Sequence, residues 1–289
     1  MRYRKLLICT MFLTFAACDD SGVTGPQSRG ETAPVRVLNA VVDTGTVDFV
    51  FIDKVENLPT FREVPFRGHS GVYQGVSAGS RPLRIFPNST NAALTSTILV
   101  ETDVNLEPNG RYTLVYAGSA GSNQDTFVAF EDPTTLPTPA AGNIALKALH
   151  AAFGTGNVDI YVVPVDSTAG ATPADFQTSA VRVLTSIAYL TQTAYVEVPV
   201  RPSAAGPRFY RLVVTAAGSP TVLFAATPNL PGSLPPAGTT YGASPGVQIP
   251  GSVLTIVVAP GAMPNTRSAT ATNQSPTAFF VIDKALDPQ

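Results

Sequence analysis

The sequence has no tryptophan, only two histidines and two cysteines, and charged residues at 13% of its 289 positions. Each scarcity excludes a chemistry. A zinc site draws three or four ligands mainly from His and Cys, and here both cysteines, Cys9 and Cys18, lie in or beside an N-terminal leader. Basic and acidic residues nearly balance at 18 against 20. No cationic surface is therefore available to neutralise phosphates, and nucleic acid is not an expected partner. Apolar runs fall short of the ~20 residues of a bilayer-spanning helix, because Gly, Pro, Asn or Thr interrupts them. Helical periodicity is nearly missing too. What is abundant is apolar residue, at 44%, with 23 Gly and 26 Pro that follow no collagen-like period. That composition describes a folded chain rich in turns rather than a disordered one.

The leader carries Arg2, Arg4 and Lys5 ahead of the apolar run 6–17, which ends in the small residues Ala16 and Ala17. This is the layout of an export signal. The ending Ala16-Ala17-Cys18 resembles a bacterial lipobox, with Phe15 where Leu is more usual. The resemblance implies cleavage before Cys18 and lipidation of its thiol; the alternative is an ordinary signal peptide beside an incidental cysteine. With Cys9 discarded, Cys18 is the only mature thiol, so no intramolecular disulfide can form. Residues 1–17 are read as signal peptide and 18–33, polar with Gly and Pro, as a flexible tether. The expected location is the bacterial cell envelope, periplasmic or at the surface, with the membrane reached through the N-terminal lipid.

From Pro34 onward the chain alternates short apolar runs with turn residues: 35–41, 47–52, 83–86, 96–104, 111–117 and 126–130. They are rich in Val, Ile, Thr, Tyr and Phe, which predicts strands. The period-two pattern of Arg111–Tyr116 predicts one wet face and one core face. Thr172-Pro173-Ala174-Asp175 is a possible helix start, and Val181–Tyr189 reads as a strand. The pattern then repeats. VRVLNAVVDTGTVDFVF (35–51) lies over LKALHAAFGTGNVDIYV (146–162), with Leu38/Leu149, Ala40/Ala151, Gly45/Gly156, Val47/Val158 and Asp48/Asp159 identical. Segment 64–76 follows 187–198, pairing Phe66 with Tyr189 and Tyr73 with Tyr195; 82–86 follows 209–213, 110–117 follows 251–259, and 127–133 follows 279–285. The expected fold class is all-β, with two tandem immunoglobulin-like antiparallel β-sandwich domains. Their bounds are 34–132 and 143–289, with a linker at 133–142 and longer loops in the second, around 164–178, 199–207 and 227–250.

The G-x-V-D strand, the Y-x-x-V-x-A-G segment, the R-[IL]-[FV] strand and the G-x-x-Y-T-L-V strand together resemble the domain of unknown function 4397. The likeness covers most of 34–132 and, more loosely, 143–287. It implies a β-sandwich in an exported or lipid-anchored bacterial protein, and it brings no catalytic residue. Tyr112 falls opposite Val253 in this alignment, and VRPSAAG stands where the first copy has a compact turn.

Candidate chemistry is sparse. Asp48 and Asp159 occupy equivalent strand starts, where they either hold a cation or, more simply, face solvent or tie down the preceding turn. A hard cation needs several converging oxygens, and no D-x-[DN]-x-[DN]-G run exists. His150 stands where the first copy has Asn39, a polar-tolerant position, and His69 lies in a Gly-flanked loop. No G-x-S-x-G elbow accompanies them. Acids such as Asp43, Asp53, Glu56, Glu63, Glu101, Asp103, Glu131, Asp132 and Asp166 are scattered singly, as surface charge would be. Tyr73, Tyr112, Tyr116, Tyr161, Tyr189, Tyr195 and Tyr210 fall in strands, where core packing competes with sugar stacking. The expectation is a non-enzyme without metal or cofactor, displaying two sandwiches for an envelope protein or polysaccharide partner. The alternatives are a carbohydrate-binding module and a carboxylate-dependent hydrolase.

Overall fold

The computed structural model describes residues 31–53, 61–165, 181–200, 209–226, 230, 232–233 and 243–284. Cys18, Glu56, Asp166 and the possible helix start at 172–175 lie outside the described residues. Residues 31–289 form one unit. Its first eight strands are β1 (Thr32–Val41), β2 (Val47–Phe51), β3 (Phe61–Val64), β4 (Gln74–Ser77), β5 (Gly79–Pro87), β6 (Val100–Leu106), β7 (Arg111–Gly118) and β8 (Thr126–Asp132). They make an inner sheet β4-β1-β7-β8 and an outer sheet β3-β2-β5-β6. Nine more follow: β9 (Asn143–His150), β10 (Val158–Val165), β11 (Val181–Ile187), β12 (Thr191–Gln192), β13 (Val196–Pro199), β14 (Phe209–Ala216), β15 (Val222–Ala226), β16 (Val253–Ala259) and β17 (Thr277–Lys284). These give an inner sheet β12-β9-β16-β17, with β13 also on β9, and an outer sheet β11-β10-β14-β15.

The two inner sheets pack on each other, which sets burial strand by strand. One core joins the first pair of sheets through residues such as Val35, Leu83, Ile85 and Leu114. Another joins the second pair through Ile144, Ile160, Leu212 and Ile256. Between the inner sheets lies a seam of Leu38, Ala40, Val115, Ala117, Leu149, Ala151, Val257, Ala259 and Val281. Outer strands alternate as predicted: β2 and the second half of β5 switch between buried and half-buried residues. Inner strands do not. From Tyr112 to Gly118 every residue of β7 is buried, and so is all of β16. The one-wet-face expectation for Arg111–Tyr116 therefore fails, because the strand is covered on both sides, as strands of central layers are.

The pairing is antiparallel apart from one parallel ladder in each half, β1 with β7 and β9 with β16. A short helix, α1 (Ala92–Thr95), occupies part of the connection before β6, so that strand starts at Val100 rather than 96. Asn91 caps it by accepting from the Ala93 amide at 3.0 Å. The strand predicted after 180 is β11.

Cross-strand partners fix which residues of the two halves are equivalent, and they revise three segments of the repeat. Val47 pairs with Val64 and Val158 with Ile187, matching the sequence alignment. On β5 and β14, however, Phe51 faces Leu83 and Val162 faces Leu212, so Leu83 corresponds to Leu212, two residues from the sequence alignment. Arg36 sits beside Thr113 and Lys147 beside Thr255, which makes Tyr112 the counterpart of Leu254 rather than Val253. Thr113 faces Phe130 and Thr255 faces Val281, so Asp132 corresponds to Asp283, not Lys284. A one-residue slip moves every side chain to the opposite face. Correct register puts both aspartates in the seam.

Candidate functional site

Four charged side chains close the seam at one end, and they are reciprocal. Arg36 of β1 pairs with Asp283 of β17 at 2.7 Å, and Lys147 of β9 pairs with Asp132 of β8. Each cation therefore bonds the carboxylate of the other half, as in a two-fold dimer interface. Side-chain exposure is 3% and 0% in the first pair and 1% and 1% in the second. Equivalent threonines complete the circuit. Arg36 Nε donates to Thr113 Oγ1 at 2.8 Å, Thr113 donates to Asp132, and Thr255 Oγ1 donates to Asp283 Oδ2 at 2.6 Å. Tyr73 gives its hydroxyl proton to Asp132 at 2.8 Å while its ring lies under Arg36 and Arg111. Lys147 lies 5.3 Å from the ring of Tyr195 and donates to Gln192 at 3.1 Å.

Burial alone would raise the pKa of Asp132, but Lys147, Arg36 and two hydrogen bonds outweigh it and hold the carboxyl below its usual range. Burial lowers and the facing carboxylates raise the Arg36 value, with a net rise. Burial, with Arg36 opposing it, pushes Tyr73 above its ordinary value. Such a saturated cluster resists proton transfer. It is built to hold two sheets together, and its buried charges cost little only while all are paired. Asp132, read from sequence as one of several scattered surface acids, is buried here; composition hides this because the partner lies across a sheet.

The other candidates are tied to backbone. Asp48 accepts the Glu63 amide at 2.7 Å, and Asp159 accepts those of Ser186 at 2.7 Å and Gly218 at 3.0 Å. Glu63 and Ser186 both have positive φ, 55° and 51°, where the ladders shift register. The paired aspartates thus pin equivalent β-bulges, rather than facing solvent or tying only the preceding turn. Asn39 donates to the carbonyls of Gly45 and Val64 at 2.8 and 3.0 Å, and Val41 donates to its oxygen. His150 does the same work in the second half, with Nδ1 accepting from Ala152 at 3.2 Å and Nε2 facing Gly156 O at 3.0 Å. Burial holds its pKa below the ordinary value. Asp43 caps the turn at 119–121 by accepting from Ser119, Ala120 and Gly121. Asp53 forms a two-pronged pair with Arg81. Among the described residues no three His, Cys, Asp or Glu side chains gather as a metal site. None of the described tyrosines is exposed: Tyr112, Tyr116 and Tyr210 are buried, and Tyr73, Tyr161, Tyr189 and Tyr195 half-buried.

Beside the polar cluster a groove of about 470 Å³ opens. Its floor is Phe280, Val281, Ile282 and Asp283 of β17, one wall is His69, Gly71 and Val72, and the other is Leu230 and Pro245. Val72 is 69% exposed. The first wall is held by Arg67, whose guanidinium donates to the carbonyls of Pro260 and Asn273 at 2.8 Å each and to that of Ser275. His69 stacks on Phe279 with ring centroids 5.9 Å apart and accepts from the Gly71 amide through Nδ1. Burial first and Arg36 second lower its pKa. Leu230 and Pro245 of the second wall fall between β15 and β16, a stretch numbered 227–252, where the counterpart between β6 and β7 is 107–110. An insertion that long, in a compact fold, usually serves function. Sequence reading noted the loop at 227–250 but had no signal for the groove, which exists only once β17 lies against His69.

Residues 33–161 match the family model described as domain of unknown function (DUF4397), a span that covers the first sandwich and reaches into β10. No curated protein matches the chain. Several solved structures match it at low similarity. The CBM26 carbohydrate-binding module of Eubacterium rectale Amy13K, solved with maltoheptaose, is 10% identical over 89% of this chain and 99% of its own, with a TM-score of 0.21. The tip fimbrial protein Mfa3 of Porphyromonas gingivalis is 10% identical over 87% and 99%, at 0.23. The fimbrial anchor protein Mfa2 of the same organism is 8% identical over 89% and 100%, at 0.19. Likeness at these scores bears on neither ligand nor partner.

Proposed function

We propose that the chain, whose residues 33–161 match the DUF4397 family model, is a non-catalytic binding protein of the bacterial envelope, built from two copies of that domain. Cys18 carries the lipid that fixes it to a membrane, 19–33 tether it, and the β17 groove receives its partner. The observation that carries this reading is the groove itself: concave, apolar and bordered by Leu230 and Pro245 on one side, it has the size and lining of a binding site. The titratable groups nearest to it, Asp283 and His69, are already bonded to Arg36, Thr255 and the Gly71 amide. A hydrolase would need a carboxylate pair facing a cleft, and Asp132 and Asp283 instead neutralise Lys147 and Arg36 in the seam. Among the described residues the tyrosines are buried or half-buried and offer no stacking platform to sugar, which favours a protein partner over a glycan. The anchor is supported by Ala16-Ala17-Cys18 after a charged and apolar leader. Cell fractionation tests it: the Cys18→Ser variant is expected in the soluble fraction and the parent chain in membranes. Equal partitioning of the two refutes the anchor.

A further inference from the structure

We propose that the partner is an extended polypeptide segment, which adds as a strand to the outer edge of β17. This rests on the groove reading above and names what fills it. β17 is the terminal strand of its inner sheet, and no other described strand pairs with its outer side. It runs for eight residues, Thr277–Lys284, and the stretch Ala278-Phe279-Phe280-Val281-Ile282 is apolar. A long apolar edge of this kind is a template for another chain, and folded proteins normally shorten it, charge it or cover it. Several other edges of this fold are treated that way, while β8, β11 and β15 keep five to seven residues. β3 and β4 have four residues each, β12 has two, β13 ends in Pro199, and β6 carries Glu101 and Asp103.

Along β17 the groove floor consists of four consecutive residues, 280–283. Since neighbouring side chains of a strand point to opposite faces, a cavity that touches four in a row runs along the strand's edge. The ligand that fits such a floor must offer backbone N–H and C=O groups at strand spacing, and apolar side chains toward Val72, Leu230, Pro245 and Ile282. An extended peptide has both. A glycan lacks the backbone pattern and would want an exposed ring; an acyl chain would leave the edge amides without partners. At the end of the groove Arg111 already donates to the Asp283 carbonyl at 2.8 Å, which closes that end of the edge and sets where an incoming strand stops. The groove also continues the seam, since Val281 and Asp283 belong to both.

Fluorescence polarisation on the full chain tests this with two probes. One is a labelled octapeptide of alternating Thr and Val with a Lys at each end; the other is the same peptide N-methylated at alternate amides. Strand addition predicts saturable binding of the first, weakened about tenfold or more by N-methylation, which removes the edge hydrogen bonds. Val72→Asp, at an exposed wall position, is expected to weaken it by a similar factor without altering the thermal midpoint. Hydrogen exchange of the alternate β17 amides that face away from β16 should slow when the peptide is bound, while those already bonded to β16 stay unchanged. Equal binding of both peptides overturns strand addition while leaving the groove as a site. Binding of neither overturns both readings. Dimerisation of the free chain with protection of Thr277–Lys284 makes the occupant a second copy and overturns the peptide.

Discussion

His150 is placed by two hydrogen bonds to its ring. Its two ring nitrogens close the turn after β9 as the amide of Asn39 does after β1. From sequence, the Asn39 correspondence already argued against a ligand; the hydrogen bonds themselves were invisible, because they depend on the turn folding back. His150→Asn should keep the fold near parent stability, whereas His150→Ala leaves the turn carbonyl unmet and should cost about 1–2 kcal/mol in denaturant melts. The pH sign follows from burial. A histidine whose folded pKa lies below its ordinary 6.5 is neutral in the fold, so the unfolded chain takes up more protons once the pH drops below that value. Stability is full above about pH 6.5 and declines as the pH falls toward the folded pKa. The Asn variant should lose that part of the decline. Asp159 tells a similar story. It is 2% exposed and holds two amides, so Asp159→Ala should destabilise by roughly 2–3 kcal/mol, more than the half-buried Asp48→Ala. A cation titration that leaves both melting curves unchanged fits the bulge-pinning role.

Among elements, strand existence was legible and strand register was not. β1, β2, β7 and β8 stand close to their apolar runs, since β-branched clusters between turn residues have few other uses. Exact alignment of the halves failed at β14, β16 and β17, where β-rich segments match equally well after a shift of one or two. Phe127 over Phe279 is a natural match by letter, yet cross-strand pairing sets Phe127 opposite Tyr116 and Phe279 opposite Val257. That single step concealed Asp283 as the twin of Asp132, and with it the polar cluster. The double-sided burial of β7 and β16 was likewise hidden, because nothing local records that a second sandwich covers the first.

For the whole molecule, the seam predicts behaviour that neither half would show alone. Asp132→Asn leaves Lys147 buried against a neutral partner and should cost about 3–5 kcal/mol; the double change Asp132→Leu with Lys147→Met should recover most of it, because no charge is then buried unpaired. Chemical denaturation of the three chains distinguishes this from a surface pair, for which both changes would fall within about 1 kcal/mol. Acid acts on the same group. A carboxyl held below its ordinary pKa stabilises the fold above the unfolded value, near 3.8, and that contribution disappears as the pH falls through the folded pKa. Acid unfolding of the parent should therefore steepen below about pH 4, and the Leu/Met double variant should lack that component.

The Arg36–Asp283 pair joins the strand nearest the start of the folded unit to the strand at its end. The first and last described strands consequently lie side by side, like the two ends of a loop drawn through one ring. Under the proposed anchoring, a partner pulling on β17 would load this buried guanidinium and carboxylate, which tie the pulled strand to β1.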